Sequence, residues 1–332
     1  MDSGRWQSLT VGSAVLQPGR MTIGALPLAH QIDGPVAAPV MIAAGARPGP
    51  ILWVQAAIHG GEVGGTLGLT RCLHALDLES MSGAIVGVLA ANPLAFRAQT
   101  RNTPQDGENM NRLFPGTLDG SITRQMAFRL MEAAHATADI VVDLHSGGAE
   151  AVVPFYSIFW DDGSDASLAS GRYARAAATD VVWAARDSWL SCAMFTRLTA
   201  LGVPSLIVEC GGGGETPDAD IDRFAQAVRG VAHAAGILAD GAPAPSQYRT
   251  IGTCDLAFTR AGGFFMPSVG AGDLIEDGGV VGRVVDVFGR EVEVITSPKR
   301  AFVAAIGKRF YPVDTGAMVA ELNDDHGWSD GR

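Results

Sequence analysis

Several kinds of residue and pattern are scarce or missing in this chain, and each absence closes off a class of function. The four cysteines, Cys72, Cys192, Cys210 and Cys254, are scattered and form no Cys-x-x-Cys pair. That speaks against a cysteine zinc site and against a disulfide framework, and the expectation is a cytoplasmic protein with reduced thiols. Cys210 reads best as a small packed thiol. Basic residues are outnumbered, 24 Lys and Arg against 35 Asp and Glu, for a formal net charge of -11. Binding a polyanion needs a clustered basic surface, so nucleic acid is not an expected partner. No apolar run reaches membrane-spanning length, and Met1-Asp2-Ser3-Gly4-Arg5-Trp6 does not open a secretory signal pattern, so no membrane association is expected. Repeats and low-complexity tracts are missing. So is the Gly-x-Ser-x-Gly elbow, which leaves serine hydrolysis unsupported.

What is present suits an α/β protein. With 47% hydrophobic and 18% charged residues and 42 glycines, the composition fits strands buried on both faces. At 332 residues the chain suits two domains. Apolar runs alternate with helical spacing from about residue 50 to about 240, the mark of βα units in a mostly parallel sheet flanked by helices. The runs predict strands at Pro50 to Ile58, Ala84 to Ala90, Asp139 to Leu144, Pro154 to Phe159, Val181 to Trp183 and Pro204 to Val208. The 3.6-residue period predicts helices at Glu62 to Leu76, Ser121 to Ala136, Ser167 to Ala178, Leu190 to Leu201 and Asp218 to Leu238. An Ala, Pro and Gly-rich stretch at Ala239 to Gln247 reads as a linker. It divides a catalytic domain, 1–240, from a smaller β-sandwich-like domain, 248–325, with short strands such as Gly282 to Phe288 and Glu291 to Thr296. Lys299 lies near a turn there, but its neighbours match no carrier-lysine motif.

The chemistry gathers where predicted strands end. Ile51-Leu52-Trp53-Val54-Gln55-Ala56-Ala57-Ile58 runs into His59-Gly60-Gly61-Glu62, an imidazole and a carboxylate three residues apart, with glycines that let the backbone bend sharply. A catalytic zinc takes three protein ligands of nitrogen and oxygen type and keeps a position for water. His145, after Ile140-Val141-Val142-Asp143-Leu144, is the best third ligand, because parallel sheets collect ligands at the carboxyl ends of their strands. The other five histidines lie in predicted helices or near the chain ends. Asp143 is placed to orient a ligand imidazole. Glu209 ends the run Leu206-Ile207-Val208. A carboxylate there is costly to bury without a partner, and a metal-activated water is one, with Glu209 as general base. The four glycines that follow Cys210 lack the Gly-Lys-Ser/Thr of a phosphate loop.

Taken together, His59-Gly60-Gly61-Glu62, Asn109-Met110-Asn111-Arg112, Asp143-Leu144-His145 and Glu209-x-Gly211 resemble the succinylglutamate desuccinylase and aspartoacylase family, the deacylase branch of the zinc carboxypeptidase clan. The resemblance covers roughly residues 45 to 322. It implies one zinc per chain in a carboxypeptidase-like α/β domain with a β-rich C-terminal domain, and hydrolysis of a linear amide in a small, carboxylate-bearing N-acyl amino acid. By motif, Arg101 looks like the family's carbonyl-polarising arginine, and Asn111 and Arg112 like its carboxylate clamp; guanidinium chemistry suits both tasks. Two departures stand out: Asn109 replaces an aspartate, and Thr103 to Glu108 lengthens the loop before it. That loop and Phe114-Pro115-Gly116 look closer to bacterial deacetylases of N-acetylated amino acids, including the ectoine-degradation type. The alternatives are a zinc carboxypeptidase acting on peptides and a non-catalytic zinc-containing binding protein. The C-terminal domain is expected to narrow the mouth of the cleft, with a homo-oligomer interface as its other reading.

Overall fold

Along β5 (Arg47–Ala56), alternate residues enter different cores: Ile51 and Trp53 pack into one, Leu52 and Val54 into another. A strand buried on both faces needs an unbroken apolar run, and this one has it. The computed structural model describes residues 6, 8–241 and 245–330. Met1 to Arg5 of the expected leader reading, and residues 242–244 of the expected linker, lie outside the described residues.

Before β5 come the short β1 (Thr10–Val11) and β2 (Ala14–Val15) and the long hairpin of β3 (Met21–Gln31) and β4 (Gly34–Ala44). After it the chain runs α1 (Val63–His74), β6 (Ser82–Val88), α2 (Pro93–Ala98), α3 (Ile122–Thr137), β7 (Ile140–His145), β8 (Ala151–Trp160), α4 (Asp165–Ala176), β9 (Val181–Ala185), α5 (Met194–Ala200), β10 (Ser205–Gly212) and α6 (Asp218–Ala234). The C-terminal part is all strand: β11 (Gln247–Phe258), β12 (Gly263–Pro267), β13 (Leu274–Ile275), β14 (Val280–Val285), β15 (Glu291–Thr296), β16 (Ala301–Gly307), β17 (Pro312–Val313) and β18 (Met318–Asp330).

One sheet carries the strands in the order β13-β16-β18-β11-β9-β8-β10-β7-β5-β6-β4-β3, and a second carries β15-β14-β12-β17. The expectation of a mostly parallel sheet needs correcting to a mixed one. β6, β5, β7 and β10 are mutually parallel, but β8 lies antiparallel to β10, and β3 and β4 run antiparallel at the far edge. The cause at β8 is chain length. Only Ser146 to Glu150 separate it from β7, whereas a parallel return needs a crossover of a dozen or more residues.

The large sheet also continues past the expected linker, since β11 pairs in parallel with β9 and antiparallel with β18. Tyr156, Trp183 and Ile207 share a core with Ile251, Phe302 and Ala304, while Phe265, Val284, Ile295 and Val319 form a cluster among the C-terminal strands. Lys299 is held by Asp255 at 2.9 Å and Asp324 at 2.6 Å, which gives it a structural role. For function, the decisive feature is that β5, β7 and β10 are adjacent and parallel, so their carboxyl ends open on one edge of the sheet.

Candidate metal centre and substrate chamber

His59, Glu62 and His145 are buried together, and one ligand atom from each lies within 4.8 Å of the others. His59 and Glu62 occupy the turn between β5 and α1, and His145 is the last residue of β7. The turn does not bend at its glycines: the left-handed residue is Ala57, with φ of 56°. Gly60 serves a different need, since a Cβ on it would lie 1.9 Å from the carbonyl oxygen of Ala95, at α2.

The two imidazoles present Nδ1 to opposite oxygens of one carboxylate. His59 Nδ1 lies 2.8 Å from Glu62 Oε1, and His145 Nδ1 lies 3.0 Å from Glu62 Oε2. Their far nitrogens are also engaged. His59 Nε2 is 3.1 Å from Asn109 Oδ1, an acceptor, an arrangement that lets Nε2 hold the proton when Nδ1 gives its lone pair to a metal. His145 Nε2 lies 3.0 Å from Asp143 Oδ2. Asn109, the departure from the family's aspartate, therefore holds the His59 imidazole through its amide oxygen.

Electrostatics sharpens the picture. Burial, helped by Arg101, lowers the His59 pKa to about 4. Burial works against ionising Glu62, yet the flanking imidazoles hold its carboxyl well below the usual range. Burial likewise opposes charge on His145, but Asp143 and Glu62 outweigh it and raise its pKa well above the ordinary value. A cluster that holds a proton this tightly is one a cation can enter by displacing that proton. Two ring nitrogens and a carboxylate, backed by a carboxylate and an amide, are a donor set that fits zinc.

Behind the three residues lies a small chamber of about 60 Å³, lined by His59, Arg101, Asn111, Arg112, His145, Tyr156, Ile158, Trp183, Trp189, Leu190, Ile207, Glu209 and Glu321. In front lies an open cleft of about 570 Å³, whose lining includes His59, Glu62, Arg101, Asn109, Glu150 and Tyr311. His59 and Arg101 belong to both. Strand register explains the chamber wall: Glu209 lies opposite His145 on β7 and opposite Tyr156 on β8, and Ile158 lies between Ile207 and Trp183.

The seven residues assigned to the site from the sequence, His59, Glu62, Arg101, Asn111, Arg112, His145 and Glu209, line one or both of these cavities. Glu209 presents Oε2 with no hydrogen-bond partner among the described residues; burial, with Glu62 and Glu321 adding to it against the pull of His145, raises its pKa to about 8. Arg101 Nη1 lies 3.3 Å from Glu62 Oε1. The side-chain oxygen of Asn111 accepts from the Met194 amide at 3.2 Å, which leaves its NH₂ as the donor. Arg112 stacks 5.0 Å from the Trp189 ring centroid and donates to the Asn111 carbonyl at 2.9 Å. Burial and the nearby Arg101 lower its pKa to about 10.

The four-glycine run is structural. Gly211 to Gly214 all adopt positive φ, and Gly213 and Gly214 donate to the carbonyls of Ala151 and Gly148. Cys210 is buried, with its thiol pushed up to about 12 by burial and by Asp220. The sequence reading missed Tyr156, Trp183, Trp189 and Glu321. Only Glu321 left a trace, as an acid inside the apolar run Met318-Val319-Ala320-Glu321-Leu322.

Comparison with known proteins agrees with this geometry. An N-alpha-acetyl-L-2,4-diaminobutyric acid deacetylase from Halomonas elongata is 36% identical over 108 residues, 32% of this chain and 32% of that one, so the match spans about a third of that relative. The product-bound ectoine utilization protein EutE (DoeB) from Ruegeria pomeroyi superposes with a TM-score of 0.85 at 24% identity, over 95% of this chain and 99% of that one. An aspartoacylase family protein from Mesorhizobium loti does so with a TM-score of 0.79 at 26% identity, over 96% and 99%. Residues 48–235 match the succinylglutamate desuccinylase/aspartoacylase catalytic domain, and the chain belongs to that family.

Proposed function

We propose that this chain is a zinc-dependent deacylase that hydrolyses the amide bond of a small N-acyl amino acid, with one zinc per chain held by His59, Glu62 and His145. The observation that carries the reading is the convergence of both Nδ1 atoms on Glu62, beside a chamber lined by Glu209, whose Oε2 has no hydrogen-bond partner among the described residues. The deacetylase named for the Halomonas relative supports it. Zinc bound here supplies a Lewis acid and an acidified water.

The chain's own residues do the rest. Glu209 takes a proton from water at Oε2; the oxygen adds to the acyl carbon, the C–N bond breaks, and the same proton passes to the departing amine. Arg101, which borders both cavities, stabilises negative charge on the acyl oxygen. Arg112 and the Asn111 NH₂ hold the substrate carboxylate, so Arg112→Ala weakens binding while Arg101→Ala lowers the chemical rate. Trp189 keeps the Arg112 guanidinium flat against its ring. The division into 1–240 and 248–325 belongs to the same reading, with Tyr311 bringing the C-terminal part to the mouth of the cleft. Free cysteines suit a cytoplasmic setting.

Zinc-loaded protein assayed against N-acetyl and N-succinyl amino acids and matched di- and tripeptides tests the proposal. Hydrolysis confined to the single amino acids supports it. Equal efficiency on the peptides favours a carboxypeptidase, and tight metal with no turnover favours a binding protein.

A further inference from the structure

The two guanidinium groups of the proposed chemistry, Arg101 and Arg112, stand on either side of one irregular stretch, residues 102–109, which leads into the 3-10 turn Met110–Arg112. What fixes that stretch has no part in the chemistry just described. Its first half is tied at the buried Thr103, whose hydroxyl oxygen accepts from Asn92 Nδ2 at 3.0 Å, and Asn92 itself caps α2 by accepting from the Ala95 amide at 3.1 Å. Its second half is tied to the start of α3. Asp106 Oδ2 accepts from the Thr123 amide at 3.0 Å, while Oδ1 accepts from the Thr123 hydroxyl at 2.8 Å and from the Glu108 amide at 3.1 Å. Glu108 Oε1 then accepts from Arg124 Nε at 3.1 Å and Nη2 at 2.9 Å.

Ser121, the N-cap of α3, serves the Arg124 amide, so the Thr123 amide remains one of the first-turn donors that no helical carbonyl reaches. Asp106 satisfies it. Burial opposes charge on Asp106, but the Thr123 amide and hydroxyl and the Glu108 amide hold its carboxyl below the usual range. Hydrogen bonds to a charged acceptor are about twice as strong as neutral ones. The far side of the tie is rigid, since Met126, Ala127 and Leu130 of α3 pack in one core with Ile51 and Trp53 of β5. An arginine on an unpinned turn has to be ordered at the moment of binding, which costs affinity; on a pinned turn it does not. We infer that Asp106 is a positioning residue for the carboxylate clamp: it pins the loop to the first turn of α3, so that Asn111 and Arg112 are ordered before the ligand arrives. Glu108 supports it through Arg124. The inference rests on the clamp of the proposed function.

Hydrogen exchange at residues 109–113 and calorimetric titration of the zinc-loaded protein with 2-aminobutyrate test it together. In Asp106→Ala, exchange of those amides should quicken and 2-aminobutyrate should bind more weakly, each by roughly three- to thirtyfold, the scale of a lost helix cap. Asp106→Asn keeps one acceptor oxygen and should retain part of both, and it is the variant to measure where Asp106→Ala does not fold. A purely structural role has a different signature: a lower Tm without these two changes, as expected for Arg71→Met, which breaks the ties of α1 to Asp218 and Asp222 of α6 and borders neither cavity. Unchanged exchange or unchanged binding in Asp106→Ala would overturn the inference, and so would an equal loss of binding in Arg71→Met. Arg112→Ala separates this failure from that of the clamp reading. If it weakens binding while Asp106→Ala does not, the clamp stands without Asp106; if it binds like the unaltered protein, or neither binds, the clamp reading fails and takes this inference with it.

Discussion

Glu209 and Glu321 line the same chamber from different strands, both lodged in apolar runs and both with pKa values lifted chiefly by burial, to about 8 and about 7. Their neighbours differ. Glu209 stands beside His145 on the adjoining strand, with Glu62 close enough to raise its affinity for a proton. The charges that act most on Glu321 are the guanidinium groups of Arg112 and Arg101. The first set of neighbours suits the proton transfer proposed for Glu209, and the second suits a carboxylate that meets a charged group. Burial makes each energetically expensive, and the surrounding charges decide what each does.

The strand-end wall should fail first. His145→Ala removes one of the three proposed metal ligands, and the expected outcome is loss of stoichiometric zinc by elemental analysis together with loss of activity. Full zinc content and turnover in that variant would dismantle the assignment. Glu209→Gln breaks the same wall more selectively: zinc should remain while turnover falls at least about a hundredfold, the lower range for general acid-base catalysis. Near-normal rates would erase the contrast between the two carboxylates by removing Glu209 from the reaction.

A finer cut separates two adjacent glycines. Gly60→Ala forces a Cβ to within 1.9 Å of the Ala95 oxygen, whereas the same change at Gly61 meets nothing nearer than 3.6 Å. Gly60→Ala should therefore shift the turn that carries His59 and cost about 1–3 kcal/mol, as overpacking does, with weakened zinc binding. Gly61→Ala should stay within about 0.5 kcal/mol. Thermal melts with and without zinc would read both, and matching losses would show that the bend, not the close approach, demands glycine.

Legibility in the sequence follows the same division between walls. β5, β7 and β10 are buried on both faces, so they appear as apolar runs, and a proposed site residue comes where each run ends. A single pass along the chain reaches His59, His145 and Glu209 this way. The antiparallel turn of β8 was written in the five residues between it and His145, but recognising it requires counting the loop rather than reading the strand. β3 and β4 stayed hidden because Pro27, Pro35 and Pro39 interrupt them, and proline argues against a strand. Glu321 is harder still. Its position depends on β18 joining the sheet through β11, a pairing between segments some seventy residues apart that no local pattern announces.

The smallest effect concerns stability and isolates the β18 wall from catalysis. In metal-free protein the Glu321 carboxyl ionises near pH 4.5 when unfolded and near 7 when folded. Below 4.5 both states hold the proton and nothing is lost. Between 4.5 and 7 the unfolded state sheds its proton while the folded state keeps it, so this group makes stability fall as pH rises; above 7 the full penalty persists. Glu321→Gln abolishes that titration. The variant should melt like the unaltered protein at pH 4 and a few degrees higher at pH 8, given that about 1 kcal/mol moves the Tm of a large domain by roughly 2–4 °C. Melting curves across that range give the answer directly. A gain already present at pH 4, or none at pH 8, would mean that Glu321 is not held unpaired in the empty chamber, and the contrast with Glu209 would lose its physical basis.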